Sequence, residues 1–416
     1  MPNTPTTPTQ TKNSIRDLPR NVWAVSLTSF FMDISSEMVI NLVPLFLANV
    51  LGVQTAIIGL IEGIAESIAS LLKLFSGWLS DKLHERKWLA VAGYGLSALT
   101  KPFFYFATSW EAIAGVRWLD RVGKGIRTAP RDALVADSVS EEKRGLAFGF
   151  QRAADTAGAM LGLLIALGVV WLAQSNAVKL DLSTFQTIVV ISILPALLAV
   201  LALAFGAQDV PVLKESALPK FAFRSLGKPF VVFMLIVGVF ELGNSSDAFL
   251  VLRAQERGLS VIGILGMLVC FNLVYTLISA PAGSLSDRIG RRKLIVGGWL
   301  VYAVVYCGFG LARTGWQVWL LYMVYGLYYG MAYGTSKALI ADLVPDTVRG
   351  TAYGTYNAVI GILDFPASLI AGLLWQGLGS WSGFGASAPF LFGSLVALLA
   401  AILLIFWLPK VQSQNA

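Results

Sequence analysis

The sequence predicts an all-α membrane protein: twelve transmembrane helices arranged as two pseudo-symmetric six-helix bundles. Three observations carry this. The composition lacks the polar side chains a water-facing globule needs, apolar stretches recur at membrane-spanning length, and the two halves of the chain repeat one another. Of 416 residues, 56% are hydrophobic and 13% charged, with a mean hydropathy of +0.70, whereas a soluble domain carries about 25% charged residues. Lipid is therefore the outer solvent. The 40 glycines suit close helix packing in a bilayer, where small residues let backbones approach.

A bilayer core needs about 20 apolar residues per helix. Spans are expected at about 22–49, 55–80, 89–108, 111–137, 146–171, 185–206, 229–254, 260–286, 294–313, 315–342, 351–376 and 388–409. The longest polar stretch between them, Gln208 to Lys228, divides the chain. The expected order is a tail 1–21, a first bundle 22–207, a linker 208–228, a second bundle 229–409 and a tail 410–416. Residues 1–20 contain no cleavable apolar core, so the first apolar segment stays as the first span.

Loop charge sets the orientation. Lys82, Arg86, Lys87, Lys143, Arg144, Lys214, Lys220, Arg224, Lys228, Arg288, Arg291, Arg292, Lys293 and Arg349 fall in even-numbered loops. The opposite side has Lys179, Arg253, Arg257 and Arg313. This bias places both termini in the cytoplasm of a cell carrying the protein in its inner membrane. It also accounts for the net charge of +7 without nucleic acid, which is not an expected partner. Cys270 and Cys307 lie in apolar stretches and His84 is the single histidine, so no metal site or disulfide framework is expected. No phosphate-cradling loop is present, which argues against ATP-driven pumping. No cofactor and no catalytic residue are expected. A monomer in the lipid bilayer is.

The halves are related. PRDALVADSVSEEKRGLAFG, from Pro130, matches TSKALIADLVPDTVRGTAYG, from Thr335, so that Asp137, Arg144 and Gly145 fall on Asp342, Arg349 and Gly350. GWLSDKLHERK, from Gly77, matches GSLSDRIGRRK, from Gly283. Ser35-Ser36-Glu37 is echoed more weakly by Ser245-Ser246-Asp247. Duplicated halves with a site between them are a common basis for alternating access.

Gly77, Asp81 and Arg86, with Gly283, Asp287, Gly290, Arg291 and Arg292, resemble the major facilitator loop motif G-x-x-x-D-R-x-G-R-R after spans two and eight. Arg117 and Gly123 resemble that superfamily's Arg-and-Gly motif of span four. The resemblance covers about Val22 to Pro409, and DRVGKGIRTAPRDALVAD resembles a mostly uncharacterised bacterial and archaeal branch. It implies a secondary transporter, with gating roles for Gly77, Asp81, Arg86, Arg131, Arg144, Asp287, Arg291, Arg292 and Arg349. Two departures stand out. His84 and Glu85 replace the usual Gly and basic residue, which predicts a looser first gate. Span five reads GAMLGLL from Gly158 without the Gly-Pro pair of drug antiporters, which argues against drug export.

Ionisable residues at bilayer depth are costly and serve function unless paired. On a helical wheel Arg117, Arg121, Lys124 and Arg131 fall within about 80° of arc, a stripe about 20 Å long with Asp120 and Arg127 beside it. One reading is an electropositive path for a carboxylate-bearing solute, since Arg holds carboxylates bidentately. The other is a structural network with Asp33, Glu37, Glu62, Glu66 and Asp155. The expected substrate set is Arg117, Arg121, Lys124, Tyr329 and Lys337. The expected ion-coupling set is Asp33, Glu37, Asp120, Asp155, Glu241 and Asp247, with Asp364 a further buried acid. Protons are the expected ion. Sodium is the rival, because Asn244 to Asp247 offers oxygen ligands. Arg152 and Asp155, three apart, can pair. Tyr322, Tyr325, Tyr328, Tyr329 and Tyr333 crowd span ten, as packing or as an organic-substrate pocket. The expected function is proton-coupled transport of a small organic anion, carboxylate-bearing metabolite or chelate. The alternatives are multidrug efflux and a non-transporting sensor or lipid-handling protein.

Overall fold

The computed structural model describes residues 15–83, 85–140, 143–210, 226–345 and 348–408. His84, most of the linker with Lys214, Lys220 and Arg224, and the outer parts of both tails lie outside the described residues.

Twelve spans are built from fourteen helices among the described residues. The first half holds α1 (Arg20–Ile40), α2 (Val43–Asn49), α3 (Thr55–Leu83), α4 (Lys87–Phe106), α5 (Trp110–Asp137), α6 (Arg144–Gln174) and α7 (Leu182–Gly206). The second holds α8 (Lys228–Gly243), α9 (Ala248–Glu256), α10 (Val261–Ile289), α11 (Arg291–Leu311), α12 (Gly315–Leu343), α13 (Arg349–Gln376) and α14 (Ala388–Trp407). Nine segments among the described residues are long and apolar enough to cross a membrane by themselves. The remaining three, α4, α5 and α12, carry Lys101, the charged stripe and the tyrosine run, and packing holds them in place. α4 lies on α5 and α7, and α12 on α10 and α11.

Two spans are broken at equivalent places in the two halves. α1 stops at Ile40 and α2 resumes at Val43 with Pro44 in its first turn, where a missing N–H is tolerated. α8 ends at Gly243, Asn244 adopts φ −97 and ψ 75, and α9 begins after Asp247. Irregular backbone at membrane depth persists only where it is buried in protein or lines a cavity.

The halves meet chiefly along α3 against α13 and α6 against α10, with α2 touching α9. α3 and α13 run antiparallel and in backbone contact. A Cβ on Gly63 would lie 2.9 Å from Phe365 Cα, and one on Gly372 2.6 Å from Ala56 Cα. At the end of the bundle opposite the termini, Thr55 donates its N–H (2.9 Å) and its hydroxyl (3.0 Å) to Gln376 Oε1. There Gln255 donates to the Val178 carbonyl at 2.7 Å, and the Val261 N–H to the Ala177 carbonyl at 3.2 Å. Val43, Leu45, Phe46, Phe249 and Leu250 are sealed in the same layer. Toward the end holding the termini, Lys124, Arg152 and Tyr333 are exposed. The molecule is therefore closed at the far end and open at the terminal end.

One loop charge belongs elsewhere than expected. Arg253 is 0% exposed, donating to the carbonyls of Phe309, Gly310 and Ala312 and to Ser387 Oγ, so it ties α9 to α11 and α14. The polar run Gln255-Glu256-Arg257 that follows it made it read as part of the loop.

At the far end of the α3–α13 seam Gly372 lies against Ala56. Gly372→Val overpacks this contact by about 1–3 kcal/mol and is expected to move the population toward a far-end-open state. Spin labels at positions 53 and 378 should then show a longer distance; an unchanged distribution contradicts this role.

Candidate functional site

A cavity of about 520 Å³ lies between the halves, beneath the sealed far end. Its two walls are chemically unlike.

The first-half wall is a network of paired charges on α3, α4 and α5. Glycines let these helices approach: a Cβ on Gly123 would lie 2.7 Å from the Gly93 carbonyl, and one on Gly125 2.6 Å from Leu72 Cβ. The glycines of DRVGKGIR thus serve helix packing. Arg117, 1% exposed, grips Glu62 bidentately, with Nε–Oε1 at 3.1 Å and Nη2–Oε2 at 2.7 Å. Its Nη2 also lies 3.6 Å from Glu66 Oε1, and its Nη1 3.9 Å from Asp120 Oδ2. Arg121 binds Glu66 at 2.8 Å. Behind them Lys101, 0% exposed, reaches Asp120 Oδ1 and Ser36 Oγ, each at 3.4 Å. Three cations and three carboxylates form one chain. Nothing in the loop or repeat patterns pointed to Lys101; the available signal was a lysine in the middle of an apolar span.

The second-half wall is aromatic and acidic. Asp247, at the break before α9, accepts from Tyr325 Oη at 3.1 Å and Tyr329 Oη at 3.4 Å. Glu241 accepts from Asn244 at 2.9 Å, and Tyr302 Oη donates to the Gly243 carbonyl at 3.0 Å, fixing the unwound end of α8. Asp364 lines the same wall. Around them Phe240 stacks on Trp299 and Tyr325 on Tyr328, while Tyr329 meets Tyr325, Tyr328 and Phe271 edge to face. Among the ion pairs of the described residues none involves Glu241, Asp247 or Asp364. In all, Glu37, Glu62, Glu66, Glu241, Asp247 and Asp364 face Arg117 and Arg121 across the lining, an excess of four carboxylates.

The expected site residues divide accordingly. Arg117, Arg121 and Tyr329 line the cavity, as do Glu37, Glu241 and Asp247. Glu37 accepts from Asn41 at 2.8 Å. Asp120 does not line it, being turned to Lys101. Asp33 and Asp155 lie nearer the terminal end; Asp155 is beside Gln151 at 3.5 Å. Arg152, which its spacing would let pair with Asp155, donates to Tyr275 across the halves at 3.1 Å. Lys124, one turn from Arg121, is exposed in the open mouth, and Lys337 Nζ stands 4.6 Å over the Tyr333 ring.

The residues expected to gate form matched triads. Arg86 binds Asp81 at 2.9 Å and Asp137 at 2.8 Å, and Arg291 binds Asp287 at 3.8 Å and Asp342 at 3.0 Å. Arg144 donates to the Ala136 carbonyl and Arg349 to that of Ala341, each at 3.4 Å. Arg291 also donates to the Ala338 carbonyl and Arg292 to that of Ile405. Arg131 pairs with Asp132 at 2.8 Å, and Gly77 sits against Ala129. Each of these contacts stays within one half. The first copy, expected to be looser, is the tighter: the Asp81 side chain is 7% exposed and that of Asp287 70%. Burial of Arg86 beneath α5 outweighs the motif's departure at positions 84 and 85.

Two broken spans, matched loop triads and a cavity between repeated halves now stand together. A profile of the Major Facilitator Superfamily matches residues 25–260 and 235–416. The chain belongs to that superfamily. It is 34% identical over 397 residues to an uncharacterised MFS-type transporter of Methanocaldococcus jannaschii, covering 94% of this chain and 96% of the relative. It is 26% identical over 311 residues to the multi-drug resistance efflux pump PmrA of Streptococcus pneumoniae, covering 72% and 75%. The solved nucleoside transporter NupG superposes with a TM-score of 0.77 at 14% identity, over 92% of this chain and 99% of that one. The protein is a multi-pass membrane transporter of the major facilitator fold, not an enzyme.

Glu62→Gln strands the buried Arg117 charge and is expected to cost about 3–5 kcal/mol. Thermal unfolding in detergent measures it. Arg117→Leu in the same background should recover most of the loss, and Glu66→Gln, which takes the acid from the buried Arg121, should also destabilise, by less because the Glu66 side chain is 36% exposed. Wild-type melting of Glu62→Gln contradicts the pairing.

Proposed function

We propose that this transporter carries an organic cation out of the cytoplasm in exchange for protons. The observation that carries the proposal is the second-half wall, where carboxylates without a cationic partner stand among aromatic rings. A carboxylate at bilayer depth is kept for a purpose, since apolar residues would pack there at lower cost. Rings and carboxylates together attract a desolvated organic cation through ring quadrupoles and through charge. The arginines opposite are already neutralised by Glu62 and Glu66, so they offer an anion little free charge.

Exchange follows from competition. A proton and a substrate cation cannot both neutralise Asp247 or Glu241, so binding one favours release of the other. Loop charge puts the open end in the cytoplasm, which suits loading there. The Streptococcus relative, a multi-drug resistance efflux pump, agrees with this direction. The organic-anion reading retains one specific support. Lys124 stands exposed in the mouth, outside the ion pairs that hold Arg117 and Arg121, with Lys337 also near the mouth. Sodium remains the rival coupling ion at Asn244 to Asp247.

A ligand that binds the native state raises its melting temperature. Tetraphenylphosphonium is expected to stabilise the purified protein, and benzoate is not. Asp247→Asn should weaken the cation by about 2–3 kcal/mol, the attraction at roughly 6 Å and an effective dielectric near 20. Stabilisation by benzoate that is lost in Lys124→Gln, with no response to the cation, reverses the assignment of charge. In proteoliposomes Glu241→Gln or Asp247→Asn should remove acceleration of cation efflux by an imposed pH gradient. An unchanged response to pH, with acceleration by a sodium gradient, transfers the coupling to sodium.

A further inference from the structure

A second cavity, of about 600 Å³, opens on the outer surface of the first half, away from the transport site. Its walls are large and apolar, with Trp23, Leu27 and Phe30 from α1 and Phe150 from α6, and Leu201 and Phe205 from α7. Small residues, Ala24, Ala154, Ala202 and Gly206, also line it. Trp23 packs edge-on against Phe150 at 4.6 Å, while Trp23, Leu27 and Phe205 remain 45%, 46% and 76% exposed.

Two polar groups break this apolar surface. Arg20 sits at the terminal end of the groove, held by the carbonyls of Gly206 (2.7 Å) and Phe205 (2.8 Å), with the rest of its guanidinium exposed. Ser26, 2% exposed, lines the groove, and its Oγ has no hydrogen-bond partner among the described residues. Spacing along α1 gives the groove its scale. From Arg20 to Phe30 is about 15 Å of helix, the thickness of one leaflet's hydrocarbon, and Ser26 lies about 9 Å below Arg20. A cation at headgroup level, a buried hydroxyl below it and an aromatic channel beneath follow the order of groups along a phospholipid.

We propose that this groove holds one anionic glycerophospholipid of the surrounding bilayer. Its phosphate lies on Arg20, an ester carbonyl accepts from Ser26 Oγ, and one acyl chain runs along the aromatic walls. Charge selects the headgroup: Arg20 brings a cation with no acid paired to it among the described ion pairs, and an anionic phosphodiester complements it. The bound chain would join α1 to α6 and α7. α1 carries Glu37 and continues through the break into the far-end seal, so the lipid rests on a helix that must move. The proposal does not depend on which substrate is transported.

The test is native mass spectrometry of the purified full chain after incubation with equimolar phosphatidylglycerol and phosphatidylcholine. The expected result is one retained phosphatidylglycerol, favoured about five-fold, the discrimination that one arginine provides near an anionic headgroup. Arg20→Gln should bring the two lipids to equal retention. Ala154→Trp should fill the groove and remove both; if that variant does not fold, Ala202→Leu fills it from the opposite side. Equal retention of both lipids by the wild type overturns the headgroup assignment. Wild-type retention of phosphatidylglycerol by a folded groove-filled variant overturns the site.

Discussion

A guanidinium at bilayer depth is tolerable only when neutralised, and the grip of Arg117 on Glu62 is the contact from which the first half is organised. Both side chains are almost wholly buried. The cost of removing two charges from water is recovered only through bidentate geometry and further neighbours, here Glu66 and Asp120. That requirement fixes the rotation of α5 against α3, and Lys101 extends it to α4. Because α3 also supplies the surface that meets α13, the same ion pair sets how the two halves face one another.

The halves share a plan and differ in chemistry. Each has a broken first span, a charge triad near the terminal end and an arginine returning to a carbonyl eight residues earlier. On that common frame the first half carries a closed charge network, while the second carries aromatic rings around carboxylates. A symmetric frame with unlike walls suits alternating access. The frame can rock about the glycine-lined α3–α13 seam while the second-half wall presents its carboxylates to either side.

Much of the fold was legible in the residues. Length and apolarity of the segments, the offset between PRDALVAD and TSKALIAD, and the loop motifs sufficed for twelve spans in two halves. α4, α5 and α12 fall in the expected spans 89–108, 111–137 and 315–342, although they are less apolar than the other nine. The site was legible in part. Arg117, Arg121, Tyr329, Glu37, Glu241 and Asp247 were singled out and line the cavity. Asp120 was assigned to coupling because a helical wheel places a residue on a face without saying whether that face meets a cavity or another helix. The partners of Lys101, and the carbonyls of α11 around Arg253, were illegible for the same reason, since they are distant in sequence.

By itself the sequence determined the environment, the number of spans, their duplication and the family, because those follow from hydrophobicity and local pattern. It also supplied the inventory of charges at membrane depth. Only the tertiary structure decided which of those charges cancel. Arg117 and Arg121 read as a basic path in one dimension and become a neutral network once Glu62 and Glu66 stand 2.7 and 2.8 Å away. Electrostatic character depends on distances of a few ångströms between helices, and those distances are set by packing that no single helix contains.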